Sequence, residues 1–449
     1  MAIMLKLDLE IFSSKVFRPC VSKVGANRLG MGFHCELFRA NAFRIHIELP
    51  IETNMQKNTK IIIVGAGLGG LTAAACLIKK GFHVRIYEQA AVLAEVGAGI
   101  QSSANAVKVL YDLGLHDALE VVAVRPQAFE FRRYDTAELM HRIPLGVEHE
   151  KSFGAPYFHL HRADIHEILV KKVYELDPHC ITLNAKADSF EESHEGVKLW
   201  LEGGVEIKGD VLIGADGIKS VVRQQILGST PVSYTGDIAW RGVISVDKLP
   251  PDIMETVSTV WCGPKKHAVM YYLRAGALMN FVGLVEHDQP ESESWTQKRP
   301  WQELKDDFVG WHPTIQTVID ALDKDACYRY ALNNRPPVGN WSTQKATLLG
   351  DAAHPTLPYM ASGAAMAIED AAVFARCLEQ CEDVTSTLNL FQRNRMERTA
   401  KIVNGSTFSR GLYRIEDVQA MRDAFHEQNL TQSRADWLYS YDPLTVALT

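Results

Sequence analysis

No apolar run in the 449-residue chain approaches the roughly 20 residues of a membrane-spanning helix, so a cytoplasmic protein with no membrane partner is expected. Basic residues are outnumbered: 47 Lys and Arg against 54 Asp and Glu leave a net charge of −7, which argues against a nucleic-acid partner. None of the eight cysteines forms a CxxC pair. Cys377 and Cys381 stand one helical turn apart, as two thiols of one helix would, and the scatter of the rest fits a reducing compartment. Repeats and low-complexity tracts are absent as well. What remains is an ordinary globular composition, 47% apolar and 22% charged, long enough for two or three domains.

The most informative stretch is Lys60 to Gln89. Ile61 to Val64 reads as a buried strand that runs into Gly65-Ala-Gly67-Leu-Gly69-Gly70. An Ala- and Leu-rich helix follows from Leu71 to Lys80, stopped by Gly81; a second strand, His83 to Tyr87, ends at Glu88. A glycine turn inside a complete βαβ unit is a dinucleotide site: Gly65 permits the turn, Gly67 lets the backbone approach a pyrophosphate, Gly70 lets helix and strand pack, and the helix N-terminus offers free N–H groups. Glu88 is placed to take ribose hydroxyls.

Further along, Glu95 to Gln101 is a second small-residue segment, open to a flat ligand or simply a helix entry, before a helix from Ala104 to Leu113. Tyr157 to His166 ends a strand and starts a helix at Asp164. His159, His161 and His166 straddle that junction and need not converge on a metal, and no metal site is expected. Arg162 is the better candidate, as an anion contact. Alternating patterns from Cys180 to Val205 suggest antiparallel strands added to the parallel sheet, and Asp210 to Arg223 reads as strand, Asp216-Gly217 turn and helix start. Four β-like runs between Tyr234 and Asp288 form an antiparallel sheet on which His267 and Tyr271, four apart, face one side, either as site residues or as core residues with satisfied polar tips. Trp301 to Leu322 is helical. Ala346 to Ala371 again runs a buried strand into Gly350-Asp351, then through His354-Pro355 to a small-residue helix near Gly363 and Ala364, whose N-terminus could lie against a flat ring system. Long amphipathic helices follow from Leu388.

Three segments, GAGLGG with Glu88, LIGADGIKSVVR and LLGDAAHPTLPYMASGAAMAIEDA, resemble in order and spacing the FAD-dependent aromatic hydroxylases, the single-component flavoprotein monooxygenases. The likeness spans about Lys60 to Asp442. EVGAGIQ, GAPYFHLHRADIH and Gly263-Pro-Lys-Lys-His267-Ala-Val-Met-Tyr271-Tyr-Leu-Arg274 are most similar to the salicylate hydroxylase group and its neighbours, 3-hydroxybenzoate 6-hydroxylase and 6-hydroxynicotinate 3-monooxygenase. Gln101, where the 6-hydroxynicotinate enzyme has histidine, and Pro358, where the 3-hydroxybenzoate enzymes have glutamine, leave salicylate ahead. The resemblance implies an α/β, Rossmann-like FAD-binding fold with an inserted antiparallel β-sheet substrate domain and C-terminal helices. It divides the chain into an extension at 1–54, FAD domain at 55–233, substrate sheet at 234–290, helix and second FAD segment at 291–380, and helical region at 381–449.

Residue by residue, it implies FAD contacts from Gly65, Gly67, Gly69, Gly70, Glu88, Gln89, Gln101, Arg162, Asp216, Gly350, Asp351, Gly363 and Ala364. His354 and Pro355 would line the flavin face. His267, with Tyr271, would act as base or hydrogen-bond relay. The resemblance further implies that NADH or NADPH would bind transiently, which fits the absence of a second GxGxxG, and that O2 would react at the flavin to give a C4a-hydroperoxide that hydroxylates a small aromatic acid, salicylate giving catechol and CO2. A homodimer is left open.

Met55-Gln-Lys-Asn-Thr immediately precedes the first strand, so residues 1–54 are expected to reflect a start assigned too far upstream, with a genuine outer strand or helix as the competing reading. Two other functions compete with hydroxylation. An NAD-dependent dehydrogenase would use only the first motif and purify colourless; a non-hydroxylating FAD protein would take up oxygen without forming product.

Overall fold

The computed structural model describes residues 57–94, 98–229, 232–289 and 297–449. The readings of residues 1–54 and of 95–97 lie outside the described residues. A parallel sheet has the order Ala346–Leu348, Val211–Gly214, Lys60–Val64, His83–Tyr87, Ile181–Thr182. Lys60–Val64 is central and covered on both sides, which is why its sequence is an unbroken apolar run rather than an alternating one. Ile61 and Ile63 pack with helices Leu68–Lys79, Arg162–Leu176 and Gly363–Gln380. Ile62 and Val64 pack the opposite way, with the antiparallel meander Ala187–Ser193, Gly196–Leu201, Val205–Gly209.

The second sheet differs from expectation. It has seven strands, ordered Tyr328–Asn334, Ser233–Ser245, Leu278–Glu286, Lys266–Leu273, Ser258–Gly263, Ala128–Arg133, Leu139–Pro144. Three of them lie outside 234–290, and Ser258–Gly263 pairs in parallel with Ala128–Arg133, so the sheet is mixed. Its members come from distant parts of the chain, and a local pattern cannot announce such partners. One face carries Trp240, Met270 and Phe281 against Trp301–Asp307 and Pro313–Asp320, two helices where one stretch was expected. The break has a cause: Pro313 starts the second helix and His312 Nδ1 accepts the Thr314 N–H (3.2 Å).

The other face carries Ala239, Val260, Val282, Leu284 and Tyr330, packed with Tyr359, Met360 and Met366 and with the helices Val384–Leu412 and Val418–Gln428. This is the face shared with the parallel-sheet unit. A two-stranded ribbon, Gly99–Ser102 against Phe158–His161, lies between the strand Lys266–Leu273 and the helix Gly363–Gln380. Gly99 is pressed so closely on Tyr271 that a Cβ there would stand 2.6 Å from the ring. Among the described residues no helix is long and apolar enough to cross a membrane.

Candidate active site

The carboxyl ends of three parallel strands, Lys60–Val64, Val211–Gly214 and Ala346–Leu348, deliver the three motifs to one edge of the sheet, where open α/β folds bind ligands. Gly65 is left-handed (φ +101°) and a Cβ on it would meet the Ala215 carbonyl oxygen at 2.5 Å. One on Gly70 would stand 2.1 Å from the Gly65 oxygen. A Cβ on Gly69 would meet Leu349 at 2.7 Å. A Cβ on Gly67 would meet nothing within 4 Å, so this one glycine faces open space.

Side chains outside the turn hold its shape. The Ala66 N–H donates to Glu88 Oε2 (2.8 Å), the Ala90 N–H donates to Oε1 (2.8 Å), and His166 Nε2 lies 2.9 Å from the Ala66 carbonyl. In the second motif Asp216 accepts the Ser220 hydroxyl (2.5 Å) and the Val221 N–H (2.8 Å), capping the helix Val221–Leu227. Arg223 Nη1 then donates to the carbonyls of Ala352 (2.7 Å) and Ala353 (2.8 Å), joining the second motif to the third.

The third motif turns at Gly350 (φ +63°), whose N–H donates to Asp370 Oδ2 (3.0 Å). Asp351 is exposed at its surface yet ringed by protein, the situation of a group on the floor of a cleft. Burial pushes its carboxyl up, against the pull of Arg162 and His354. The loop ends at Gly363, where Gly363–Gln380 begins without a side-chain cap, leaving its first N–H groups to other acceptors.

Opposite stands the second sheet. His267, Val269 and Tyr271 point from one strand to the shared face, paired with Leu284, Val282 and Asn280 of the next. Four residues of strand separate His267 from Tyr271 by about 13 Å, so they bracket a wall and do not form a dyad. His267 is 1% exposed, between the rings of Tyr359 (5.2 Å) and Tyr413 (5.4 Å), and its Nδ1 has no partner in the protein. Burial, then the Arg414 guanidinium, lower it to about 3. Burial pushes the Tyr271 phenol up. Beside Tyr271, Gln101 Nε2 donates to Ser258 Oγ (3.1 Å) and Tyr157 OH donates to Gln101 Oε1 (2.7 Å), while His159 lies 4.5 Å from the Tyr271 ring.

The sequence profile described as "FAD binding domain" matches residues 58–406. A 6-hydroxynicotinate 3-monooxygenase of Pseudomonas fluorescens is 34% identical over 78% of this chain and 90% of its own. A 3-hydroxybenzoate 6-hydroxylase of Polaromonas naphthalenivorans is 34% identical over 85% of this chain and 96% of its own. The chain belongs to the FAD-dependent aromatic hydroxylases. The crystal structure of Klebsiella pneumoniae HpxO with FAD and uric acid is similar in fold, with a TM-score of 0.76 at 26% identity over 86% of this chain and 98% of that one.

The cofactor of this FAD-dependent aromatic hydroxylase is FAD, and the residues present suit it. Space is left at Gly67, where a pyrophosphate would fit, and the Glu88 oxygens keep lone pairs that a ribose could use after their two backbone bonds. Asp351 is exposed, and Gly363 and Ala364 are both half-buried.

Other expected contacts are placed differently. Asp216 is committed to its helix cap, because a carboxylate beside unpaired helical N–H groups is captured by them. Gln101 spends both ends of its amide on Ser258 and Tyr157. The His354 Nε2 lies 2.6 Å from Asp370 Oδ2 while its Nδ1 has no partner in the protein, and Pro355 beside it is buried. Gln89 is exposed beyond the turn. The helix expected from Asp164 begins at Arg162, and Asp164, in its first turn, pairs with Arg274 (2.7 Å). The three histidines diverge: toward Tyr271, toward Asp164 (3.7 Å), and onto the glycine turn.

Sequence reasoning missed Asp370, Arg395, Glu369 and Arg398, all but Arg398 wholly buried. Their signal was legible, an acidic pair inside an Ala-rich helix and two arginines three apart in the next.

Proposed function

We propose that the chain hydroxylates the ring of a small aromatic acid that already carries a hydroxyl, of the 3-hydroxybenzoate or 6-hydroxynicotinate kind, using NAD(P)H and O2. The observation that carries this reading is the near-full-length similarity to two enzymes named for such acids, with motif residues positioned to suit FAD. Salicylate, placed ahead by the residues at 101 and 358, ranks second. The structure weakens the weight given to Gln101, because its amide is engaged by the protein.

FAD, when bound, supplies the redox chemistry and the activation of oxygen. The protein supplies placement and electrostatics. The uncapped N-terminus of Gly363–Gln380 would hold negative charge on the cofactor with its free N–H groups and positive end. A neutral His267 accepts a hydrogen bond from a substrate hydroxyl but, lowered to about 3, is too weak a base to keep a phenol's proton, a narrower role than base. Tyr271 stays protonated and donates. Val260, Val269 and Val282 are cross-strand neighbours that make the wall between His267 and Tyr271 apolar.

The test is NADH and NADPH oxidation, with oxygen uptake, by the FAD-loaded protein given 3-hydroxybenzoate, 6-hydroxynicotinate or salicylate, and with products identified by chromatography. A dihydroxylated acid that keeps its carboxylate supports the reading. Catechol from salicylate as the main product overturns it in favour of decarboxylative hydroxylation.

A further inference from the structure

The helix Val384–Leu412 meets the loop from Gly350 to Ser362 at three points. Arg395 Nε donates to Asp370 Oδ1 (2.7 Å), whose other oxygen holds the Gly350 N–H (3.0 Å) and His354 (2.6 Å). Ser406 Oγ donates to the Leu357 carbonyl (2.6 Å). Tyr413, which follows the helix and continues its backbone conformation, donates its hydroxyl to the Tyr359 carbonyl (3.0 Å). These residues are 11 and 7 apart, three and two turns at 3.6 residues per turn, so all three lie along one line of the helix. Between them, Gly405 lets the loop come so near that a Cβ would stand 2.8 Å from Met360 Sδ.

We propose that Arg395, Ser406 and Tyr413 are positioning residues: the helix is a splint that holds the loop in its FAD-receiving shape before the cofactor arrives. The loop needs such support. It opens and closes on left-handed residues, Gly350 (φ +63°) and Ala361 (φ +51°), the second with a Cβ that disfavours this conformation. A loop ordered only on binding would subtract its ordering entropy from FAD affinity, and one ordered beforehand does not. The inference rests on the reading that this loop faces the flavin, but not on any particular aromatic substrate.

Ser406→Ala and Tyr413→Phe each remove one hydroxyl and little volume. Thr399→Val is the control: it removes a buried hydroxyl of the same helix that bonds only within it, to the Arg395 carbonyl (3.0 Å) and the Met396 carbonyl (3.3 Å). The readouts are amide hydrogen exchange of peptides covering 350–362 in the FAD-free protein, the FAD dissociation constant, and the visible circular dichroism of the bound flavin. Each loop-side variant is expected to speed loop exchange and weaken FAD about 5-fold, the pair on the order of 20-fold, with an altered flavin spectrum. Tyr413→Phe also takes an acceptor from Arg434 (3.3 Å), so Ser406→Ala decides. If its loop exchange, FAD affinity and spectrum match those of Thr399→Val, the splint is overturned. None of these readouts needs a hydroxylation substrate, so they hold even if every aromatic acid above is refused.

Discussion

Replacing Gly67 and Gly70 by alanine, one at a time, separates what the glycine turn does for the protein from what it does for FAD. At Gly70 the added methyl carbon would lie 2.1 Å from a backbone oxygen, which cannot swing aside as a side chain would. Relief requires the helix Leu68–Lys79 to move off its strand, and overpacking of this kind costs about 1 to 3 kcal/mol or more. At Gly67 the methyl meets nothing, and the backbone (φ −73°) is one that alanine adopts freely. The gain from a stiffer unfolded chain, about 0.4 to 1 kcal/mol, is offset by the poorer helix cap that alanine makes. Gly67→Ala should therefore melt within a degree or two of wild type without FAD. The methyl would, however, hold a phosphate away from the first N–H groups of the helix, and a hydrogen bond to a charged group is worth about 1.5 to 3 kcal/mol, or roughly 10- to 150-fold in affinity. Thermal melts of the FAD-free protein and FAD titration by fluorescence quenching measure both terms. Wild-type FAD affinity in Gly67→Ala, or a melting loss equal to that of Gly70→Ala, would refute the assignment.

Three further outcomes are expected. His267→Ala should keep bound FAD and lose most turnover, and unchanged kcat/KM would reject the residue's role. Burial lowers His159 and His267 to about 3 and His149 to about 4; the unfolded chain therefore binds more protons than the folded one between those values and about 6.5, and stability should fall with acid across that window. From pH 6.5 to 5 each should remove roughly 1 to 2 kcal/mol, and replacing His267 with Asn should flatten the dependence of melting temperature on pH; an unchanged slope would place the ring in water. Asp237 is fully buried and holds Arg410 (2.5 Å), Arg414 (2.7 Å) and the Tyr359 hydroxyl (2.5 Å); Asp237→Ala leaves both arginines only their longer contacts to Glu286 (3.3 and 3.5 Å) and should cost about 3 kcal/mol, seen as a lower urea midpoint, whereas a loss under 1 kcal/mol would mean that Glu286 takes over both.

The first βαβ unit was legible because every signal in it is local: a buried strand, glycines forced by close approach, a helix stop, a second strand. The four strands between Ser233 and Glu286 were legible for the same reason. Ala128–Arg133 and Leu139–Pro144 were not, since their place depends on a pairing partner far along the chain. At the site, the sequence shows which residue types carry chemistry but not which partner claims them. Asp216 has its hydroxyl and N–H partners within a few residues, whereas Gln101 is claimed by Ser258 and His354 by Asp370, and only the folded structure brings those together.

The strand order of the two sheets also bears on how the protein is made. The central strand Lys60–Val64 is synthesised early, yet its sheet gains its last member, Ala346–Leu348, only after every strand of the other sheet has been delivered, and Tyr328–Asn334 completes that one barely before. A ribosome that has passed Glu286 has finished neither. The two units must then mature together, slowly, through contacts between distant segments, so a fragment cut after residue 233 or 290 should expose unpaired strand edges and aggregate, where the whole chain closes them.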